Sequence, residues 1–346
     1  MMIIRPINQK DYERLYELAE KTGTGFTSLQ PNEEQLKQKI TVSETAIAMD
    51  EPESPGEETY LFVLEDTATH QVVGICGVAA AVGLSEPWYN YHLGTLVHSS
   101  RELKVHNIVH TLRLSNDHTG YTELCSLFLD PEYRHSGNGS LLSKSRYAFM
   151  AQFPNRFGKQ VCAEMRGVSD DEGRSPFWEA LGRPFFSMDF SHADYLTGIG
   201  EKVFIAELMP KHLIYTNLLP ESAQAVIGEV HENTRPALRM LENEGFRYEG
   251  YVDIFDAGPT VTCHFDDIRA IRASREVKVK VTSALPSSDT TFVISNTLLK
   301  DFRCGMLPLV ESNGTVAISP EDAAELKLND GDHARIFELS SGSEQQ

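Results

Sequence analysis

Leu127-Phe128-Leu129-Asp130-Pro131-Glu132-Tyr133-Arg134-His135-Ser136-Gly137-Asn138-Gly139-Ser140 is the most specific stretch of the sequence. A compact apolar strand over 124–129 is stopped by Asp130-Pro131. A loop with two glycines follows, and a helix runs from Ser140 to about Gln152. Gly137 and Gly139 let backbone N–H groups converge with no Cβ atoms in the way, and the helix N-terminus adds partial positive charge. Such a loop can cradle a pyrophosphate. No Gly-Lys-Ser/Thr follows, so it is not a Walker loop. The GxGxxG spacing and a preceding parallel βαβ unit are absent, so it is not a dinucleotide fingerprint either.

Upstream, the pattern predicts a strand over 1–6 and a helix opened by Asp11. A second helix is capped by Asn32 and runs through Ile40. The first helix ends at Thr22-Gly23-Thr24-Gly25. Strands over 60–64 and 72–82 form an antiparallel hairpin, and two more fall near 91–97 and 109–114. Downstream come a strand at 161–165, a short helix at 176–181 and a strand at 185–190. A strand at 202–208, helices at 223–230 and 236–244, and a strand at 246–255 follow. Residues 175–186 and 235–248 both read as a short helix, a glycine and an aromatic strand, which suggests a degenerate internal repeat. Beyond Gly258-Pro259 the texture becomes β-rich, with strands at 278–283, 291–295 and 333–339 and a helix at 320–327. The tail, Ser340-Ser341-Gly342-Ser343-Glu344-Gln345-Gln346, reads as disordered.

The chain has 346 residues, 41% apolar and 23% charged, enough to bury a large core. Its net charge is −19, which argues against a sequence-independent nucleic-acid binder and disfavours anionic membrane surfaces. Cys76, Cys125, Cys162, Cys263 and Cys304 are odd in number and well separated, which reads as reduced thiols in a cytoplasm. No apolar stretch approaches the ~20 residues that span a bilayer. The histidines form no metal-ligand pattern, so no metal is expected.

Arg134-x-x-Gly137-x-Gly139 after a strand and a proline resembles the acyl-CoA loop of the GNAT N-acyltransferase superfamily. The opening Ile3-Ile4-Arg5-Pro6 and the helix-glycine-aromatic segment at 175–186 agree with it. The sequence further resembles the bacterial arginine N-succinyltransferase family up to about Ser274. The matching stretches include Lys21-Thr22-Gly23, Gly74-Ile75-Cys76, Pro87-Trp88-Tyr89-Asn90-Tyr91 and Gly94-Thr95-Leu96-Val97-His98. They continue with Leu114-Ser115-Asn116-Asp117-His118-Thr119-Gly120, Glu123-Leu124-Cys125, Ala163-Glu164-Met165-Arg166-Gly167-Val168 and Phe186-Ser187-Met188-Asp189-Phe190. Phe204-Ile205-Ala206-Glu207-Leu208-Met209-Pro210-Lys211-His212 and Asp253-Ile254-Phe255-Asp256 complete them.

The resemblance implies an α+β, GNAT-like acyltransferase fold with a mostly antiparallel mixed sheet. Residues 1–200 form the acyl-CoA-binding domain. Residues 201–274 form a degenerate second GNAT-like half carrying a catalytic histidine, and 275–346 a small β-rich C-terminal piece. It also implies a reaction: succinyl-CoA, a co-substrate and not a resident cofactor, plus L-arginine gives N2-succinyl-L-arginine and CoA. The expected partners are these two small molecules and a second copy or a homologous subunit. Other readings are an N-acyltransferase for another amine such as ornithine, and a non-catalytic acyl-CoA-binding subunit.

The resemblance assigns His231 as the proton donor to the departing thiolate. Histidine suits that role because both its charge states are accessible near neutrality. The bland reading is a helix-end histidine favoured by the dipole. Leu127 and Leu129 lie on the strand whose backbone pairs with pantetheine; Leu127 also reads as ordinary core. Arg134, Gly137, Asn138 and Gly139 complete the acyl-CoA set. Glu123 can accept the amine proton, or it is a strand-end carboxylate in solvent. Asn116, Asp117 and His118 form a polar knot suited to holding arginine. Asp117, Glu164 and Asp189 are candidate carboxylates for the guanidinium. Arg166 meets the succinyl carboxylate or pairs with Glu164 or Asp170. Cys125 reads as core.

Overall fold

The central strands are short apolar runs bounded by polar turns and buried on both faces. β1 (Met2–Pro6) leads through α1 (Tyr12–Glu20) and α2 (Glu33–Ala48) to the hairpin β2 (Thr59–Asp66) and β3 (Gln71–Ala79) in the computed structural model. The structure describes residues 1–23, 26–170 and 172–339; the expected disorder of 340–346 and half of the glycine cluster after α1 fall outside them. Asn32 caps α2 by accepting from the Gln35 N–H, but the helix runs past Ile40 to Ala48 because Ala46 and Ile47 continue its buried stripe.

A long hairpin follows, β4 (Asn90–Ser100) and β5 (Val105–Ser115), then β6 (Thr122–Leu129), α3 (Asn138–Gln152) and β7 (Gln160–Glu164). The next part is helical: α4 (Arg183–Phe186), α5 (Phe190–Gly198) and α6 (Val203–Leu208). β8 (Ile214–Tyr215), α7 (Glu221–Gln224), α8 (Arg235–Asn243), β9 (Arg247–Asp253), β10 (Pro259–His264) and α9 (Arg269–Ala273) come next. The C-terminal piece holds β11 (Arg275–Val281), β12 (Thr291–Ser295), β13 (Cys304–Pro308), β14 (Glu311–Ser312), β15 (Thr315–Ile318), α10 (Pro320–Glu325) and β16 (His333–Glu338).

Sixteen strands of the described residues join in one mixed, mostly antiparallel sheet, as expected. Its order is β14-β15-β11-β16-β12-β13-β1-β2-β3-β6-β7-β10-β9-β4-β5-β8. Among the described residues only β6–β7 and β11–β15 run parallel. Within the sheet the described residues join the C-terminal piece to the rest through the pair Ile4↔Cys304.

Four sequence expectations give way here. Residues 185–190 are not a strand: a helix continues from 176 to 186, partly as a π-turn at Trp178–Gly182, and α5 begins at Phe190. Residues 202–208 form α6 and not a strand. Both are short apolar runs whose side chains enter one aromatic core with Trp178, Phe177 and Phe255, and that packing selects helix over local β preference. The likeness of 175–186 to 235–248 therefore stops at the helix, since only the latter turns at Gly245 into a strand. Of 223–230, only the start is helical.

α1 and α2 cover one face of the sheet, burying Leu15, Leu18, Leu36 and Ile40 against Leu61, Val63, Ile75 and Phe128. α3 covers the other, where Phe62 and Phe149 meet edge to face at 4.8 Å, an arrangement worth about 0.5–1.5 kcal/mol beyond burial. Polar residues of α3 are buried too, Ser143, Lys144, Ser145 and Arg146 among them, because the C-terminal piece covers the face that water would otherwise wet. The Lys144 ammonium meets the buried Glu244 carboxylate at 3.1 Å and donates to the Leu339 carbonyl. Glu244 also accepts from Arg269 at 2.6 Å and from the Ala270 N–H at 2.8 Å. This hub locks α3, α8, α9 and the end of β16 together.

Candidate active site

β6 and β7 touch only at their beginnings, Thr122↔Val161 and Glu123↔Cys162. Beyond that, β7 follows β10 along its whole length while β6 follows β3. The two parallel strands therefore part into a V whose mouth is at their C-terminal ends. A bulge in β6 widens it. Ser126 takes φ +53°, and the register with β3 slips between Ile75 and Gly77. Ser126 and Leu127 both fall opposite the single residue Cys76 of β3 and pair with nothing in the ladder. A non-glycine residue in the left-handed region is strained, and such strain gathers at functional sites.

The loop at the mouth is built from buried anchors. The Asp130 carboxylate accepts from Arg14 at 2.8 Å and Lys21 at 2.6 Å. Burial opposes its ionisation, but these cations and the Glu132 N–H hold it below the usual carboxylate range. The Arg134 Nε–H donates to the Leu129 carbonyl at 3.1 Å and its guanidinium lies over Phe128, so the expected binding arginine folds back on the strand it follows. Ser136 and Gly137 both adopt positive φ, 54° and 78°, and lead directly into α3, whose first N–H groups no side chain caps. That leaves a dipole end free for an anion. A Cβ on Gly139 would meet nothing nearer than 3.9 Å, whereas one on Gly137 would approach Met306 of β13 at 3.3 Å. Asn138 is buried; its amide donates to the Tyr133 carbonyl and its N–H to His135, so it braces the loop from inside. Leu129 is buried and Leu127 half-buried beside the α3 core.

Glu123 sits at the apex of the V. Burial pushes its carboxyl above the usual range, and Lys202 and Lys39 pull against that rise. Among the described residues no group hydrogen-bonds the Glu123 carboxylate, so its oxygens are open to a proton or a ligand. Burial pushes the Cys125 thiol up to about 12, with the Glu123 charge adding to it, so this cysteine is an inert wall.

His231 reaches the V from the second half of the chain. Its N–H donates to the Arg166 carbonyl at 2.9 Å, just past the end of β7, and Val230 bridges Gly167. The ring Nδ1 accepts from the Asn233 N–H at 3.1 Å, so the neutral tautomer that fits carries its proton on Nε2. Because β6 and β7 are parallel, His231 and the glycine loop lie toward the same edge of the sheet.

The polar knot resolves into separate tasks. His118 is buried within a wall of Trp88, Tyr121 and Tyr251, and burial lowers its pKa. Its Nδ1 donates to the Asn90 amide oxygen at 2.8 Å, and the Asn90 amide donates to Glu164 at 2.8 Å. Asp117 accepts from Tyr251 and Arg113, at 2.9 and 3.3 Å, and hydrogen bonds hold its carboxyl below the usual range. Asn116, with its amide turned to donate, holds the Ser115 and Trp88 carbonyls. Among the described residues Arg166 pairs with neither Glu164 nor Asp170: it donates to Ser169 at 2.9 Å, its buried Nε has no partner there, and Asp170 is taken by Arg174. Asp189 is exposed and pairs with Arg183.

Sequence reasoning named Glu164 as a candidate carboxylate but missed the residues that assemble around it, Asn90, Asp253 and Asp256. Asn90 belongs to β4, and it links His118 to Glu164. Glu164 is surrounded by the buried acids Asp253 and Asp256, and burial followed by the Asp253 and Glu123 charges pushes it well above the usual range. Asp256 fixes the end of β7 by accepting from the Gly167 and Gly258 N–H groups at 2.7 and 2.8 Å.

A bulged strand that splays from its parallel neighbour, then turns through glycine into an uncapped helix, defines an acyl-CoA-dependent N-acyltransferase fold of the GNAT type. The chain belongs to the arginine N-succinyltransferase family. The family profile described as "Arginine N-succinyltransferase beta subunit" matches residues 2–270, and its C-terminal domain profile matches 275–338. The arginine N-succinyltransferases of Salmonella schwarzengrund and Salmonella agona are each 52% identical to this chain over 340 residues, 98% of both sequences. The solved structure of arginine/ornithine succinyltransferase subunit AI from Pseudomonas aeruginosa superposes with a TM-score of 0.90 at 37% identity, covering 99% of both chains.

Proposed function

We propose that this protein transfers the succinyl group of succinyl-CoA to the α-amine of L-arginine, giving N2-succinyl-L-arginine and CoA. The observation that carries the reading is the parting of β6 from β7 at the Ser126 bulge, directly ahead of the uncapped α3. The pyrophosphate sits at the α3 N-terminus, with Gly137 and Gly139 giving it room. Pantetheine runs up the V along Leu127 and Leu129, and the thioester lies beside the Ser126 bulge with its acyl tail pointing to the apex. Residues 1–200 hold the acyl-CoA in this reading, and 201–274 supply His231.

The chemistry needs two proton movements. Glu123 takes the proton of the arginine ammonium through water, and the rise of its pKa favours that task. The amine nitrogen bonds to the thioester carbon, the C–S bond breaks, and the thiolate takes a proton from the His231 side. The guanidinium is held by carboxylates, for which Glu164 and Asp117 are the candidates in reach of the His118–Asn90 relay. Their fixed acceptors penalise an acceptor substrate that leaves them unpaired.

Ornithine is the second acceptor to consider, because the Pseudomonas aeruginosa relative bears both substrates in its name. Pairing with a second copy or a homologous subunit suits the hairpin of β4 and β5, where Val97, Leu103, Val105 and Ile108 are exposed. The cysteines of the described residues are free thiols, in keeping with a cytoplasmic setting. Thiol release from succinyl-CoA by the purified protein tests the reading: release must depend on arginine, and arginine-independent or absent release overturns it.

A further inference from the structure

We propose that Lys39 is the residue that receives the distal carboxylate of the succinyl group, a reading that rests on the succinyl transfer proposed above. Succinyl differs from simple acyl groups by one negative charge, and a site that selects it needs a cation at the far end of the acyl chain.

The V fixes where that end lies. The pyrophosphate loop follows the C-terminal end of β6, so pantetheine enters there and the acyl group points back toward the apex at Thr122 and Glu123. With the thioester beside the bulge at Ser126, the tail carboxylate lies three C–C bonds of about 1.5 Å further in. A strand rises about 3.3 Å per residue, so the charge falls level with Cys125 and short of Glu123.

Lys39 approaches this level from the sheet face that α2 covers. It belongs to α2, whose Leu36 and Ile40 pack on the sheet face that holds Phe128, Ile75 and Leu61. Cys125 shares that face, its sulfur 3.1 Å from where a Gly77 Cβ would lie and close to Leu61. The Lys39 ammonium feels Cys125, Lys202 and Glu123, and burial lowers its pKa. Its hydrogen bond goes to the Ser28 carbonyl, and it makes no ion pair among the described residues. An incoming carboxylate therefore restores solvation that the ammonium has lost. Lys202, ahead of α6, adds a second positive charge. The segment that carries Ser28 is itself pinned, since Thr27 and Gln30 both donate to Asp194 of α5. Arg166 is the rival cation, but it follows β7 by two residues and stands toward the mouth, level with the bulge.

The test compares Lys39→Met with the unaltered enzyme on two acyl donors and two acceptors. Succinyl-CoA is set against butyryl-CoA, which keeps four carbons and lacks the carboxylate; arginine is set against agmatine, which lacks the α-carboxylate. The expected result is a roughly 10–100-fold fall in kcat/KM for succinyl-CoA, the size of a lost hydrogen bond to a charged group. Butyryl-CoA should change less than about threefold. Lys39→Arg, which keeps the charge, should retain most of the preference for succinyl. An unchanged succinyl-to-butyryl ratio overturns the proposal. So does a loss of discrimination between arginine and agmatine with the acyl preference intact, since that gives Lys39 to the acceptor. Circular dichroism checks folding, and Lys39→Gln replaces Lys39→Met if the latter does not fold. If the unaltered enzyme releases no thiol from succinyl-CoA with arginine, the functional reading itself fails, an outcome distinct from these.

Discussion

The His231 N–H and the Arg166 carbonyl are joined by a 2.9 Å hydrogen bond that carries a residue from the second half of the chain to the splayed end of β7. The bond uses backbone on both sides, so it holds the chain at position 231 whatever side chain stands there, while the Asn233 N–H orients the ring. His231→Gln should keep this tether while losing a group that can give up a proton at neutral pH. Turnover is expected to fall by about 10²-fold or more with CoA affinity nearly unchanged. Steady-state kinetics and CoA titration of the folded variant check this. Near-normal turnover would return His231 to a structural role.

The two loop glycines should fail differently. Gly137 has φ +78°, so Gly137→Ala costs stability, about 1–2 kcal/mol for the left-handed backbone. Gly139 has ordinary φ and open space beside it, so Gly139→Val should leave the melting temperature within a degree or two. It should still raise KM for succinyl-CoA far more than KM for arginine, because the branch fills the space where the pyrophosphate sits. Equal rises in both constants would contradict the assignment of the loop.

Glu164 makes a prediction about pH. Its pKa is raised in the folded state, so the native protein holds a proton that the unfolded chain releases above the usual carboxylate range. Stability from this group is then lost as pH rises toward the raised value. Glu164→Gln keeps an oxygen to accept from Asn90 and removes the titration. The variant should gain melting temperature relative to the unaltered protein at pH 8 and gain little at pH 5. The same gain at both pH values would show that the charge is not what costs stability.

Glu244 holds the C-terminal piece against α3. Glu244→Ala strands Lys144 and Arg269 in a buried setting and should cost about 3–5 kcal/mol, read as a lowered urea midpoint. A loss below 1 kcal/mol would mean that the hub contributes little to cohesion.

The loop after Asp130 was legible because proline and glycine punctuate the backbone through sterics alone, although α3 begins at Asn138 and takes Gly139 into its first turn, two residues ahead of the expected Ser140. The capping by Asn32 was legible for the same local reason. Residues 185–190 and 202–208 misread as strands because a short run such as Val203-Phe204-Ile205 carries no period. Its helix is selected by the aromatic core around Trp178. β10 was missed because it begins with Pro259, which is tolerated at the first position of a strand but reads as a break. The bulge at Ser126 left no trace, since serine does not announce positive φ. Nothing in the sequence joins Asn90 to Glu164, or Lys39 to Cys125; these neighbours exist only once β4, α2 and β6 have packed.

Product analysis under competition tests the central claim most directly. The purified protein is given succinyl-CoA with equal concentrations of arginine, ornithine and lysine, and the products are separated and fragmented in a mass spectrometer. The account predicts succinyl-arginine as the main product, acylated on the α-amine with the guanidinium free, in amounts matching the CoA released. Succinyl on the side chain, or lysine consumed as fast as arginine, would contradict it.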